Sequence, residues 1–154
     1  MTMGAEPVFR NRYEIDIWRK LTSASWRSED AFNVWIGNLL ERNETLDPHI
    51  LVRAMGLAVE HDPDRCKDTV RRLVSRCRPS DSLPLFAAAG IFLDAGDADA
   101  AKELLSKARR GNLPVRHCMA ARVALMENDP ERAGAELSIA YCGDPAFPMI
   151  YDLA

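Results

Sequence analysis

One seven-residue phrase occurs twice in this chain with small changes. Residues 60–66 read EHDPDRC, and residues 127–133, 67 positions further on, read ENDPERA. A fixed self-similar spacing constrains a fold strongly, because each copy must solve the same packing problem. The offset is close to two units of roughly 33–35 residues, which calls for a third copy in between. AGDADAA at 95–101 supplies it. The small residue behind each acidic opening sets the register: Cys66, Ala101 and Ala133, at spacings of 35 and 32. A step of 35 back from Cys66 reaches Ala31 in RSEDAF, again behind an acidic pair.

Each unit reads as two helices. In 28–41, Phe32, Trp35, Ile36, Leu39 and Leu40 fall on one stripe of an amphipathic helix, with Ser28 as its N-cap. Second helices follow at 63–77, with Asp62 as cap and Pro63 in the first turn, at 97–110 and at 129–141. Gly111 and Gly143 stand behind the last two as stops. The first helices, about 48–60, 84–94 and 114–126, are more apolar. PLFAAAGIFLD at 84–94 is hydrophobic all round and must be enclosed on most sides. Alanines and glycines in these helices permit close approach, and Pro48, Pro84, Pro114 and Pro145 recur where units begin. Period-2 alternation of β-branched residues is absent beyond a few positions, so the chain is all-α.

Composition narrows the class further. At 154 residues the chain can bury roughly 68–70% of its unfolded surface without disulfide or metal staples. It is 47% hydrophobic and 28% charged, which excludes wholesale disorder. Its net charge is −3, and a protein that coats nucleic acid is normally basic, so nucleic acid is an unlikely partner. The N-terminus lacks the apolar core of a secretory signal. The longest nearly unbroken apolar run, Leu83 to Leu93, falls short of the roughly 20 residues a membrane span needs. The expected location is the cytoplasm.

The repeat resembles the tetratricopeptide type. The best copy is LPLFAAAGIFLDAGDADAAKELLSKARRGNLP, residues 83–114. Ala89 matches the small residue of the family's first helix, Gly96-Asp97 the turn, and Ala101 and Ala108 the two small residues of the second helix. The next copy matches with Ala121, Asn128-Asp129, Ala133, Ala140 and Pro145. The 47–80 copy departs at Leu73 and Arg78, and the 11–45 copy keeps Ala31 and a Trp18/Trp35 pairing. The resemblance implies a right-handed α-α superhelix, a solenoid of about four stacked hairpins plus a partial C-terminal helix. The units are about 11–45, 46–81, 82–113, 114–144 and a partial 145–154, in one domain behind a flexible 1–10.

The resemblance further implies a scaffold whose first helices line a concave groove that holds a peptide or helix of a partner. The inward-looking positions are Leu51, Met55 and Ala58, then Phe86, Gly90, Leu93 and Asp94, then Cys118, Arg122 and Met126. Met55 and Met126 suit varied apolar ligands. Arg122 is a lone charge on an apolar helix, with groove contact and simple packing both open.

The remaining features are weighed against plain structural roles. Arg65, Lys67, Arg71, Arg72, Arg76 and Arg78 face one acid, Asp68, and read as a solvated helix face; a dock for phosphate or an acidic protein is the alternative. Cys66 and Cys77 lie three turns apart on one expected helix, too far to bridge. His61 reads as a turn residue, and the side chains of His117 and Cys118 diverge by about 100°. His49 and Arg53 form a solvent stripe. No CxxC, GxSxG, HExxH, P-loop or GxGxxG occurs, so no metal, cofactor or catalytic residue is expected. Trp18 and Trp35 suit an N-terminal cap, with Trp26 as its lid or as an exposed anchor for a partner. The final AFPMIYDLA begins a new first helix that would expose Phe147, Met149, Ile150 and Leu153. Either the protein continues, or another chain covers this end.

The expectation is a non-catalytic adaptor that holds a protein partner, with Met55, Asp94, Arg122, Met126, Phe147 and Ile150 as candidate binding residues. The alternatives are a homo-oligomerisation module joined through the apolar C-terminal end and, less favoured, a pentatricopeptide-like RNA-binding repeat.

Overall fold

A computed structural model of the protein describes residues 12, 14, 17–19, 29–41, 45–61, 63–78, 81–108 and 113–153. These residues contain helices and no strand. In chain order the helices are α1 (Glu29–Glu41), α2 (Pro48–His61), α3 (Cys66–Val74), α4 (Leu83–Asp94), α5 (Ala98–Lys107), α6 (Leu113–Met126), α7 (Pro130–Gly143) and α8 (Pro148–Leu153). Arg12, Glu14 and residues 17–19 are also helical. The chain divides into two compact units, Met1–Pro79 and Ser80–Ala154. Expectations for residues 1–10, Trp26, Ser28, Asp62 and Gly111 lie outside the described residues.

In the first unit, α2 packs against α1 and α3. The stripe expected on α1 buries Phe32, Ile36, Leu39 and Leu40. Asp47 caps α2, accepting the His49 N–H at 2.9 Å. His61 is not a turn residue. It ends α2, and its ring stacks on Phe32 with centroids 5.1 Å apart. The helix expected over 63–77 is shorter, since Pro63, Asp64 and Arg65 form a turn and α3 ends at Val74. Cys77 therefore lies beyond the helix.

The shorter helix changes the reading of the basic run. Arg76 and Arg78 follow the end of α3, so the helical face does not carry them outward. The Arg76 guanidinium donates to the Leu40 carbonyl, while the Arg76 carbonyl accepts the Leu46 N–H at 3.0 Å. Arg78 pairs at 3.1 Å with Glu14, whose side chain is 1% exposed. Arg65, Arg71 and Arg72 are exposed, as a solvated face requires.

In the second unit the helices pack in a regular order. α4 packs on α5, α6 packs on α4, α5 and α7, and α8 packs on α6 and α7. Each new first helix thus meets both helices of the hairpin before it. The two hairpin turns agree bond for bond. Gly96 N–H donates to Leu93 and Asp97 N–H to Phe92, at 3.0 and 2.8 Å. Asn128 N–H donates to Leu125 and Asp129 N–H to Ala124, at 3.1 and 2.8 Å. This is the Schellman pattern, which needs a left-handed residue at its corner. Gly96 has φ 78° and Asn128 φ 58°. Each aspartate then caps the next helix, accepting the Ala100 or the Arg132 N–H at 3.1 Å. α5 ends at Lys107 and α7 includes Gly143, so both depart by a few residues from the expected limits.

The six alanines matched in the resemblance, Ala89, Ala101, Ala108, Ala121, Ala133 and Ala140, are all at most 3% exposed. Ala121 and Ala124 of α6 pack with Ala133 of α7, and Ala140 of α7 packs with Cys118 of α6, so a larger side chain at these positions would push the two helices apart.

Candidate functional site

Three of the six candidate residues meet on one face. Arg122 of α6 donates to Asp94 at the end of α4, at 2.9 Å, joining successive first helices. Their side chains are 30% and 75% exposed. Leu125 and Met126 follow Arg122 by three and four positions and so share its side of α6, and both are exposed. An ion pair with two exposed apolar side chains beside it is a surface with both a charge-reading and an apolar element.

The other three residues lie elsewhere. Met55 is fully buried in the first unit and offers nothing to a ligand there. Its neighbours Ala54 and Ala58 are buried too, because α2 is covered by both α1 and α3. Ile150 is 5% exposed and packs with Cys118 and Ala140; the half-buried Leu137, Phe147 and Met149 complete that cluster. The exposure expected for Phe147, Met149 and Ile150 is corrected accordingly, while the side chain of Leu153 lies outside the described residues. Small residues at 118 and 140 leave a flat seat on α6 and α7, and α8 fills it. Burial of Ile150 contributes about 1.5–3 kcal/mol there.

A second feature was not anticipated. A cleft of about 490 Å³ opens where α5, α6 and α7 meet. Leu105, Ala120 and Val123 give it an apolar floor; Lys102, Arg116 and Arg132 bring three cations; His117, Glu136 and Ser106 complete it. Lys102 and Arg132 both reach Glu127, at 2.7 and 3.1 Å. The Lys102 hydrogen bond first, with Arg132 adding to it and partial desolvation opposing, holds the Glu127 carboxyl below the usual carboxylate range. His117 Nδ1 is hydrogen-bonded to Glu136 Oε2. Arg116 makes no hydrogen bond or ion pair among the described residues, although it is half-buried.

The cleft and the Asp94–Arg122 face lie on different sides of α6. Ala120 and Arg122 are two positions apart, so they point in roughly opposite directions. The sequence carried one trace of the cleft: Lys102/Ser106 and Arg132/Glu136 are i, i+4 polar stripes on successive second helices.

Among the described residues, no group of three or more histidines, cysteines, aspartates or glutamates is placed to hold a metal ion. No helix described is long and apolar enough to cross a membrane. The cysteines described are free thiols: Cys66 and Cys118 are buried, and burial pushes the Cys118 thiol up. No family model, curated protein or solved structure matches the chain.

Proposed function

We propose that this chain is a non-catalytic helical-repeat scaffold of the tetratricopeptide type. It forms a right-handed superhelix of about four hairpins, with α8 opening a further one, and holds a peptide or helix of a partner protein on the face of its first helices. Two observations support the repeat: the paired turns at Asp97 and Asp129, and the six buried alanines in register with them. The observation that carries the function is the convergence of Asp94, Arg122 and Met126 on one exposed surface that bridges two successive first helices. Met126 adapts to the shape of an apolar anchor, while the ion pair orients a polar one. Self-association through the C-terminal end loses support, since Ile150 is already buried within the chain.

Affinity capture from a native lysate tests the scaffold reading. The wild type is compared with Arg122→Glu and Met126→Glu, both verified to melt like the wild type. Loss of the same partner from both variants supports the reading; a partner set unchanged in both rejects the face.

A further inference from the structure

We propose that the cleft between α5 and α7 is a second binding site, specific for an acidic segment of a partner polypeptide. A carboxylate of that segment meets Arg116, Lys102 and Arg132, and an adjacent apolar side chain sits on Leu105, Ala120 and Val123. The inference rests on the scaffold reading, but it concerns a different side of α6.

The charge arrangement is the starting point. Lys102 and Arg132 share a single carboxylate, that of Glu127. Lys102 has three donors and Arg132 five, so each keeps donors to spare after meeting Glu127. Glu127 fixes where the two cations stand, which spares an incoming anion part of the cost of ordering them. Arg116 enters the same cleft with its whole guanidinium fork uncommitted among the described residues. Arg116 is half-buried as a residue and its guanidinium makes no bond among the described residues, so its whole planar fork is open to a carboxylate.

The rest of the lining selects the class of anion. The apolar floor favours an anion attached to an apolar neighbour over a free inorganic ion. Glu136 is held by His117 through Oε2, and its Oε1 makes no bond among the described residues, so it can accept a peptide N–H. Glu136 repels any incoming anion, a peptide carboxylate included, but a peptide backbone offsets this with an N–H for Oε1, which a phosphodiester linkage lacks. No phenylalanine, tyrosine or tryptophan lines the cleft to stack a base. An acidic peptide with an apolar neighbour offers a carboxylate to the cations, an N–H to Glu136 and a side chain to the floor.

The test uses the full chain and a fluorescein-labelled hexapeptide of alternating aspartate and leucine, read by fluorescence anisotropy. Its asparagine–leucine counterpart is the control. The aspartate peptide should bind saturably, at least about tenfold tighter than the asparagine peptide, and weaken as salt rises. Arg116→Glu should weaken it by about tenfold or more, with Arg116→Gln as the milder variant if the first fails to fold. Arg122→Glu should leave it unchanged. Equal affinity for the two peptides, no saturable binding of the aspartate peptide, indifference to both Arg116 variants, or tighter Arg116-dependent binding of a labelled RNA hexamer would each overturn the proposal. If the peptide result is negative while Arg122→Glu and Met126→Glu still lose a partner, the cleft alone is refuted; the reverse pattern removes the first-helix face.

Discussion

Asp97 and Asp129 do the same two tasks 32 residues apart: each closes the turn after a first helix through its N–H and caps the next helix through Oδ1. Both aspartates are preceded by the residue with positive φ, Gly96 and Asn128. Replacement of either aspartate by alanine should cost about 1 kcal/mol in urea unfolding, and the two losses should be of similar size. Gly96→Ala should cost about 1–2 kcal/mol, since a Cβ disfavours the left-handed backbone. Unequal aspartate losses would mean that the two turns are alike in form but not in energy.

The buried Glu14–Arg78 pair is a point of weakness in the first unit. Arg78→Ala removes one partner of the buried Glu14 carboxylate, and loss of such a charge-assisted bond costs about 1–3 kcal/mol. Arg53→Ala, at an exposed site on α2, should shift stability by less than about 0.5 kcal/mol. Chemical denaturation of both variants decides the point. A loss for Arg78→Ala no larger than that for Arg53→Ala would contradict a stabilising role for the pair.

Glu127 gives the cleft a pH signature. Its carboxyl titrates below the ordinary glutamate value of about 4.3, because Lys102 and then Arg132 stabilise the charged form. The stabilisation is fully present above that ordinary value and disappears as pH falls through the lower, folded one. A side-chain carbon NMR titration should show the low midpoint, and Lys102→Met should move it upward. An ordinary midpoint in the wild type would contradict the ion-pair geometry.

The thiols should separate by rate. Cys142 is exposed, whereas Cys118 is fully buried with its thiol pushed up, which disfavours the reactive thiolate. Under native conditions a thiol reagent should modify Cys142 before Cys118, and Cys142→Ser should remove that early phase. Equal rates at the two positions would mean that α6 opens easily.

How far the sequence could be read depends on whether a feature is local. The turns at Gly96-Asp97 and Asn128-Asp129 were legible because positive φ and capping are properties of a few adjacent residues. The burial of Ala101 and Ala133 was legible because each stands four positions after the aspartate that caps its helix. Ile150 was misjudged because its cover, Cys118 and Ala140, comes from two helices earlier in the chain. Arg76 and Arg78 were misjudged because helical periodicity was extended past Val74, where α3 stops. The cleft was missed because Lys102, Arg116 and Arg132 stand on three helices, and their meeting follows from packing that no single helix reveals.

Site-specific photo-crosslinking is the most direct trial of the scaffold reading. A benzoylphenylalanine placed at Met126 stands on the first-helix face beside Arg122; one placed at Ser138, exposed on α7, serves as the control. With a captured partner present, the account predicts an adduct from position 126 and little from position 138. An adduct from 138 with none from 126 would contradict it.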